Sequence, residues 1–228
     1  MNQSTNRPFP LLGRLLALAM AFACAGVSAQ EAQRRFKVLT LDEMTPAQRE
    51  VADKIRSGPR ASVSGSAANS GNSVGSPFNV WLRSPESADP IQQLGSYIRF
   101  KSSLGARLNE FAILITAREW TSQYEWFAHH RLALQAGLNP QVAQAVAEGK
   151  RPTGMQADEE IVYDFSRELH QTRRVSDATY ARALQQFGER GVMDLIAVNG
   201  YYTLVSMTLN VDRTPIPNGG PLPLAELK

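Results

Sequence analysis

Residues 106–138, ARLNEFAILITAREWTSQYEWFAHHRLALQAGL, consist of two apolar-rich segments with a short polar stretch between them. Apolar side chains recur in both segments at the spacing of an α-helix, and Gly137 stands where a glycine commonly ends one. The stretch therefore predicts two consecutive helices. The second helix carries Glu125, His129 and His130, and so holds two of the three histidines of the chain.

Helical periodicity continues along the rest of the chain, and no segment alternates with period two for long. Thr45 before Pro46 has the pattern of a helix N-cap, and so does Ser176. The sequence predicts an all-α fold of about seven or eight helices without a strong internal repeat. The other helical segments are LDEMTPAQREVADKI (41–55), PFNVWL (77–82), a segment that starts near Ala88 with Pro90 in its first turn, PQVAQAVAEG (140–149), ADEEIVYDFSRELHQTR (157–173), SDATYARALQQFGER (176–190) and GVMDLIAVNGYYTLVSMTLN (191–210).

The last of these helices, from Val192 to Leu209, is apolar on nearly every side. Such a helix is normally buried. A membrane span is the alternative, but Asp194 and Asn199 are costly in lipid. We therefore expect no stable membrane span and favour burial between subunits.

Residues 1–29 have the composition of a secretory signal peptide, with Arg7 and Arg14 ahead of an apolar run and small residues before a cleavage site near Ala29. This pattern predicts a periplasmic or secreted protein. A lipoprotein anchored through Cys24 is the alternative, and the residues before that cysteine fit it less well. Because Cys24 is the only cysteine, cleavage after Ala29 leaves a chain without a thiol.

We expect a single helical domain over residues 30–217. Within it, residues 57–77 are rich in serine and glycine and contain one charge, Arg60. This composition predicts a flexible loop, which is either an inert linker or a flap over a nearby pocket. Residues 218–228 predict an extended tail, because proline and glycine are frequent there and just before it.

The charge balance gives no support to nucleic-acid binding. The precursor has 24 basic and 21 acidic side chains, and removal of Arg7 and Arg14 leaves 22 against 21. No run of lysine and arginine is dense enough to follow a phosphate backbone. We therefore expect a small-molecule partner and no nucleic acid.

Ser122, Glu125 and His129 lie on one face of the second predicted helix, because three and four residues separate them. A carboxylate beside an imidazole favours its protonated form, whereas burial opposes it, so the pair suits proton exchange near neutral pH. If the first helix packs antiparallel on the second, Glu110 can face His129. These residues form a candidate general acid–base site.

Other interpretations of the histidines remain open. A Glu and a His four residues apart on a helix are most often a surface pair of little energetic consequence. Metal binding is weakly indicated, because neither the adjacent histidines nor Glu125 with His129 supplies three converging ligands, and we expect no metal. His170, near a helix C-terminus, is expected to be a favourable charge there.

The spacing of Glu110, Ser122, Glu125 and His129 resembles the motif of the carboxymuconolactone decarboxylase and alkylhydroperoxidase D-like superfamily. Its peroxidase branch has cysteines where this chain has Ser122 and Glu125, and attack on a peroxide needs a thiolate. The resemblance therefore implies the cysteine-free, decarboxylase-like branch and argues against a thiol peroxidase. It extends over roughly residues 40–217 and includes SPFNVWLRSPE, LGSYIRFKSSLGARLNEFAILITAREW, YEWFAHHRLALQAGL and SDATYARALQQFGERGVMDLIAVNGYYTLVSMTLN.

The resemblance implies an alkylhydroperoxidase D-like helical fold that assembles into a homotrimer or hexamer and needs no metal or organic cofactor. It also implies a carboxy-lyase type of chemistry, namely decarboxylation or proton transfer on a small lactone or carboxylic acid. Breakdown of aromatic acids through muconolactones is expected in the cytoplasm. The export signal therefore indicates a different substrate.

In this hypothesis His129 delivers a proton to carbon, Glu125 orients its imidazole, and Glu110 is a second acid–base or positioning group. Arg118, or else Arg99, holds a substrate carboxylate through a bidentate contact. The remaining candidate substrate-binding residues are Tyr124, Trp126 and Ser122.

The alternative function is a non-catalytic oligomeric scaffold that binds a small molecule on the same fold. It predicts that replacing Glu110 or His129 lowers thermal stability. An enzyme site predicts instead that His129→Ala removes turnover and leaves stability unchanged or higher.

Overall fold

The computed structural model describes Met1, residues 34–63 and residues 67–226, so the predicted signal peptide, Met1 apart, lies outside the described residues. In these ranges the chain forms eight α-helices and no β-strand, which confirms the predicted all-α class and helix number. The helices are α1 (Pro46–Ser57), α2 (Phe78–Trp81), α3 (Pro85–Lys101), α4 (Gly105–Glu119), α5 (Gln123–Gln135), α6 (Pro140–Ala147), α7 (Ala157–Thr172) and α8 (Asp177–Asp212).

Helix α4 lies at the centre of the fold. Every residue from Leu108 to Arg118 is buried, because α5, α7 and α8 pack around the helix. A helix that is apolar on nearly all sides is suited to such a position. Its few polar side chains, among them Glu110 and Thr116, must then find partners inside the protein.

A three-residue turn joins α4 to α5 and makes the two helices antiparallel neighbours. Thr121 in this turn has a φ of 44°, and the amide of Ser122 donates to the carbonyl of Ala117 at 2.8 Å. The chain therefore reverses within one turn of helix. The reversal brings Glu110 on α4 level with His129 on α5.

Local sequence signals set several helix ends. The Thr45 hydroxyl accepts from the amide of Gln48, and the Ser176 hydroxyl accepts from the amide of Thr179, each at 3.4 Å. Helix α3 begins at Pro85 and not near Ala88, because a proline in the first helical position loses no hydrogen bond. Its other proline, Pro90, consequently lies inside the helix.

The last two predicted helices form one long element, α8, which Gly188 interrupts with a φ of 65° and a ψ of 177°. Glycine adopts this conformation without a side-chain clash. By length and composition α8 is apolar enough to cross a membrane, but 56% of its apolar window is buried inside the protein. Asp194 accepts a hydrogen bond from Ser103 at 2.7 Å, and Asn199 is fully enclosed. The side of α8 that carries Asp194 and Asn199 is therefore buried within one chain and not between subunits.

The described parts of the Ser/Gly-rich segment (57–63 and 67–77) and of the C-terminal tail pack onto the helices. Pro59–Ser62 form a single turn of 3-10 helix, and Arg60 and Val74 are buried. In the tail, Leu224 is buried and its backbone exchanges hydrogen bonds of 2.8 and 2.9 Å with the side chain of Gln123 at the start of α5.

Candidate active site

His129 and Glu110 form a direct pair between α5 and α4. The imidazole Nδ1 lies 2.6 Å from Glu110 Oε2, and both side chains are at most one-tenth exposed. The ring of Tyr202, from α8, contacts the imidazole edge to face with centroids 5.1 Å apart. Three helices therefore fix the orientation of this imidazole.

Glu125 approaches the other nitrogen of the same ring. Its Oε1 lies 3.1 Å from His129 Nε2, four residues away on α5, but outside the direction of a hydrogen bond. This oxygen is buried and has no hydrogen-bond partner among the described residues. A buried carboxylate oxygen in this condition is poised to accept a proton or a donor from a ligand.

The two carboxylates decide the protonation of His129. Burial opposes the charged imidazole, but the negative charges of Glu110 and Glu125 outweigh it and raise the pKa of His129 to about 9. At neutral pH the ring is therefore an imidazolium, which acts as a proton donor and not as a base.

A cavity opens beside Glu125 and His129. The cavity is partly open to solvent and has a volume of about 80 Å³, which suits a small ligand. Glu110 does not line the cavity, which places it behind the imidazole as seen from a ligand.

Aromatic and cationic side chains form much of the remaining wall. Tyr201 and Tyr202 contribute from α8, Tyr124 from α5, Arg99 from α3 and Arg60 from the segment after α1. Burial raises the pKa of Tyr201 to about 12 and that of Tyr202 well above its usual value. Both phenols are therefore neutral hydrogen-bond donors at neutral pH.

Gly95 on α3 provides the space that two of these groups occupy. A Cβ at this position would lie 2.0 Å from the Tyr201 hydroxyl oxygen and 2.7 Å from a guanidinium nitrogen of Arg60. Neither distance is possible between non-bonded atoms of these types. A glycine inside the helix thus lets Tyr201 and Arg60 reach the same corner of the cavity.

The structure brings together Glu110, Glu125 and His129 and places Tyr124 and Arg99 beside them, but it separates Arg118 from the site. The Arg118 guanidinium is buried and donates to the carbonyl of Ala147 and to the Thr121 hydroxyl, at 3.3 and 2.9 Å.

The expectation that Arg118 binds the substrate carboxylate is therefore corrected. Arg118 lies eight residues after Glu110, which displaces it about 12 Å along α4 and rotates it by roughly 80°. Arg99 is the predicted arginine that lines the cavity.

Trp126 and Ser122 also do not line this cavity. Trp126 is buried and stacks on His130 with ring centroids 5.8 Å apart. Ser122 is fully buried at the N-terminal end of α5, and its hydroxyl has no hydrogen-bond partner in the described part of the chain. Both residues are therefore buried at α5 away from the lining of this cavity.

The sequence analysis missed Arg60, Tyr201 and Tyr202 as site residues. Three signals were present: Arg60 is the only charge in a long polar segment, Gly95 interrupts a helix, and two adjacent tyrosines stand in an otherwise apolar helix. Each signal also occurs in ordinary loops and cores, so none of them identifies a site without the fold.

A second histidine, His170 on α7, contacts α4 at Thr116. Its Nε2 lies 3.1 Å from the Thr116 hydroxyl, which in turn lies 3.2 Å from Asn199 Oδ1. Burial lowers the pKa of His170, and the charge of Arg167 lowers it further. The favourable helix-terminal charge expected for His170 is therefore not supported.

In the described ranges, no group of three or more His, Cys, Asp or Glu residues is arranged to hold a metal ion. A comparison with protein-family models and a search of curated proteins find no match to this chain.

Proposed function

We propose that this protein catalyses cofactor-free proton transfer, with or without decarboxylation, on a small carboxylate or lactone bound in the cavity beside His129. The observation that carries the proposal is a buried imidazolium that lies between the carboxylates of Glu110 and Glu125 at the wall of a cavity that arginines also line. The similarity to the decarboxylase-like branch of the carboxymuconolactone decarboxylase superfamily agrees with it.

The proposed decarboxylation needs one proton at carbon. When the bond between the substrate carbon and its carboxylate breaks, CO₂ leaves and the electron pair moves onto a conjugated carbonyl as an enolate. His129 then donates its Nε2 proton to carbon, the enolate collapses to the carbonyl, and the neutral imidazole takes a proton from solvent. The tyrosine hydroxyls on the wall are suited to donate hydrogen bonds to the enolate oxygen.

The geometry supports the positioning role for Glu110 and a role other than the expected one for Glu125. Glu110 holds Nδ1 at 2.6 Å and does not line the cavity, so it is the positioning residue. Glu125 lines the cavity beside Nε2 and is the group able to take a proton from a substrate carbon. In this arrangement His129 is the acid, Glu125 is the base, and Glu110 holds the imidazole of His129 in position.

We also propose that the protein is exported and self-associates, as the signal-like N-terminus and the resemblance imply. The outward side of α8 supports self-association, because large apolar side chains on it are 38–58% exposed. A run of this kind on a soluble protein commonly marks an interface. The residues are Met193, Ile196, Leu204, Met207 and Val211.

Proton NMR in D₂O tests the proposed reaction. The mature protein is incubated with a panel of unsaturated lactones and small carboxylic acids, beside His129→Gln and Glu125→Gln. We expect carbon-bound deuterium or loss of CO₂ with at least one compound, and a fall in that rate of about 100-fold or more in His129→Gln.

His170→Gln is the matched control, since it replaces a histidine that also packs against α4 but does not line the cavity, and it should retain the rate. Folded wild-type protein that exchanges or decarboxylates none of the panel would contradict the proposal. That result would leave the non-catalytic small-molecule-binding scaffold as the better description.

A further inference from the structure

Arg60 is a buried cation without a carboxylate partner in the described part of the chain. It is 3% exposed and lies in the 3-10 turn after α1. Its guanidinium donates to the carbonyl of Gln92 at 3.1 Å and lies 5.2 Å from the centre of the Phe78 ring. A carbonyl oxygen and an aromatic face compensate only part of the hydration that the charged guanidinium loses on burial.

The surroundings of Arg60 add positive charge. Arg99 lines the same cavity, and His129 is an imidazolium at neutral pH. In the described part of the chain, two carboxylates face these three cationic groups, Glu125 on the wall and Glu110 behind it. Neither Arg60 nor Arg99 forms an ion pair in the ranges that the structure describes. The cavity therefore lacks negative charge, and an anionic ligand supplies it.

The other walls restrict the shape of that ligand. Tyr124, Tyr201 and Tyr202 line a space of about 80 Å³. Flat unsaturated groups pack well against aromatic side chains, and the small volume favours a small ligand. Gly95 keeps the Arg60 guanidinium and the Tyr201 hydroxyl at one corner, which is where a negatively charged group of the ligand is best received.

We infer that Arg60 anchors an anion subsite whose ligand is a small, planar, unsaturated monocarboxylate, with the carboxylate on Arg60 and Arg99 and the flat part against the tyrosines. That this ligand is turned over rests on the proposed function; that it binds does not. Arginine suits the task because its planar guanidinium pairs with both oxygens of a carboxylate. An uncharged molecule of the same shape leaves the buried guanidinium unpaired.

Isothermal titration calorimetry with 2-furoate and 2-furamide tests the inference, since the two probes match in size and differ in charge. Charge-assisted hydrogen bonds predict that the wild-type protein binds 2-furoate about 10- to 100-fold more tightly than 2-furamide. In Arg60→Met this preference should fall to about twofold or less, and Arg60→Lys should keep an intermediate preference because the charge remains without the planar fork.

Arg49→Met is the matched control, because it removes the same charge from a side chain on α1 that is 42% exposed and does not line the cavity. It should retain the wild-type preference. Equal binding of the two probes by the wild type, no binding of 2-furoate, or an unchanged preference in Arg60→Met overturns the inference. If Arg60→Met does not fold, the wild-type preference and its reduction in Arg60→Lys decide the question.

His129→Gln separates this inference from the proposed function. The variant should keep the preference for 2-furoate, since the anion subsite does not need proton transfer. If the protein shows the Arg60-dependent preference but turns over no compound, the anion subsite is supported and the proposed reaction is contradicted. If the protein turns over a compound but prefers 2-furamide, the proposed reaction is supported and the anion subsite is contradicted.

Discussion

Buried His129 and half-buried His170 contact the same central helix at different positions, and their surroundings give them opposite protonation. His129 touches two carboxylates, from α4 and from its own helix, and its pKa is raised to about 9. His170 touches the Thr116 hydroxyl and has Arg167 nearby, and its pKa is lowered. Burial favours the neutral form in both places, so the partners alone decide which histidine carries a proton.

The comparison explains why only one of the two is a candidate for catalysis. An imidazolium beside a cavity can give a proton to a bound molecule, whereas a neutral imidazole hydrogen-bonded to a hydroxyl is a structural link between α4 and α7. Thr116 is fully buried, and its hydroxyl also reaches Asn199 on α8. This second cluster ties three helices together with neutral groups and holds no charge that a ligand must compensate.

The largest expected difference between the two sites is in stability. His129→Ala leaves Glu110 and Glu125 buried without their shared cation, and removal of one partner from a buried ion pair costs about 3–5 kcal/mol. His170→Ala removes only neutral hydrogen bonds and should cost about 1–2 kcal/mol. Urea unfolding at pH 7 and one fixed protein concentration measures both values.

The burial of Glu110 and Glu125 argues against the expectation that an enzyme site tolerates His129→Ala without a loss of stability. On this account His129 stabilises the fold as well as transferring a proton. Stability alone therefore does not distinguish the enzyme from the binding scaffold. If His170→Ala proves as destabilising as His129→Ala, the electrostatic distinction between the two sites is wrong.

The pH dependence of stability should differ in sign between the two histidines. The folded pKa of His129 lies above its unfolded value of 6.5, so its stabilisation is complete below pH 6.5 and is lost as the pH rises through about 9. The loss amounts to about 3 kcal/mol. The folded pKa of His170 lies below 6.5, so its neutral state stabilises the fold above that pH, and this contribution is lost as the pH falls.

Urea unfolding at intervals between pH 5 and pH 9.5 follows both effects. We expect the free energy of unfolding of the wild type to decline between about pH 6.5 and pH 9, and His129→Gln to remove that decline. His170→Gln should alter only the acidic side of the curve. A decline above pH 6.5 that persists in His129→Gln would assign the effect to another group.

The part of the site that the sequence predicted depends on local geometry. The spacing of Glu125 and His129 on one helix, and a tight turn after Glu119, suffice to bring Glu110 to the imidazole. Helical periodicity predicts the two helices and the shared face of Glu125 and His129, because these features involve neighbours along the chain. The approach of Glu110 follows once the two helices pack antiparallel. The eight helices were predictable for the same reason.

The rest of the site depends on contacts between distant segments. Arg60 and Tyr201 are far apart in sequence, and they meet only because Gly95 leaves room on a third helix. Nothing in the local pattern of a Ser/Gly-rich segment indicates that its one charge is buried. The choice between Arg118 and Arg99 was open for a similar reason, since it depends on which side of each helix faces the cavity.

Gly95→Ala offers the mildest way to disturb the His129 side alone, and Gly200→Ala is its control. Gly95→Ala forces Tyr201 and Arg60 to move, and overpacking of this kind costs about 1–3 kcal/mol. Gly200→Ala meets nothing within 4 Å and should raise stability by roughly 0.5–1 kcal/mol, since alanine is the better helix former. Thermal unfolding compares the two variants.

The same two variants should differ in their effects on ligand binding beside His129 and on the titration of His170. Gly95→Ala should weaken 2-furoate binding and leave the titration of His170 unchanged, because no group it displaces contacts that residue. Gly200→Ala should leave both unchanged. Full retention of binding and stability in Gly95→Ala would show that the corner shared by Tyr201 and Arg60 is not required.

NMR titration of the histidine side chains tests the central claim most directly, since it follows the imidazole signals of His129 and His170 in one sample. His129→Gln and His170→Gln assign the signals. The account predicts that His129 titrates near pH 9 and His170 below pH 6.5. A His129 signal that titrates at or below pH 6.5 would contradict the claim that two buried carboxylates keep this histidine charged and ready to donate a proton.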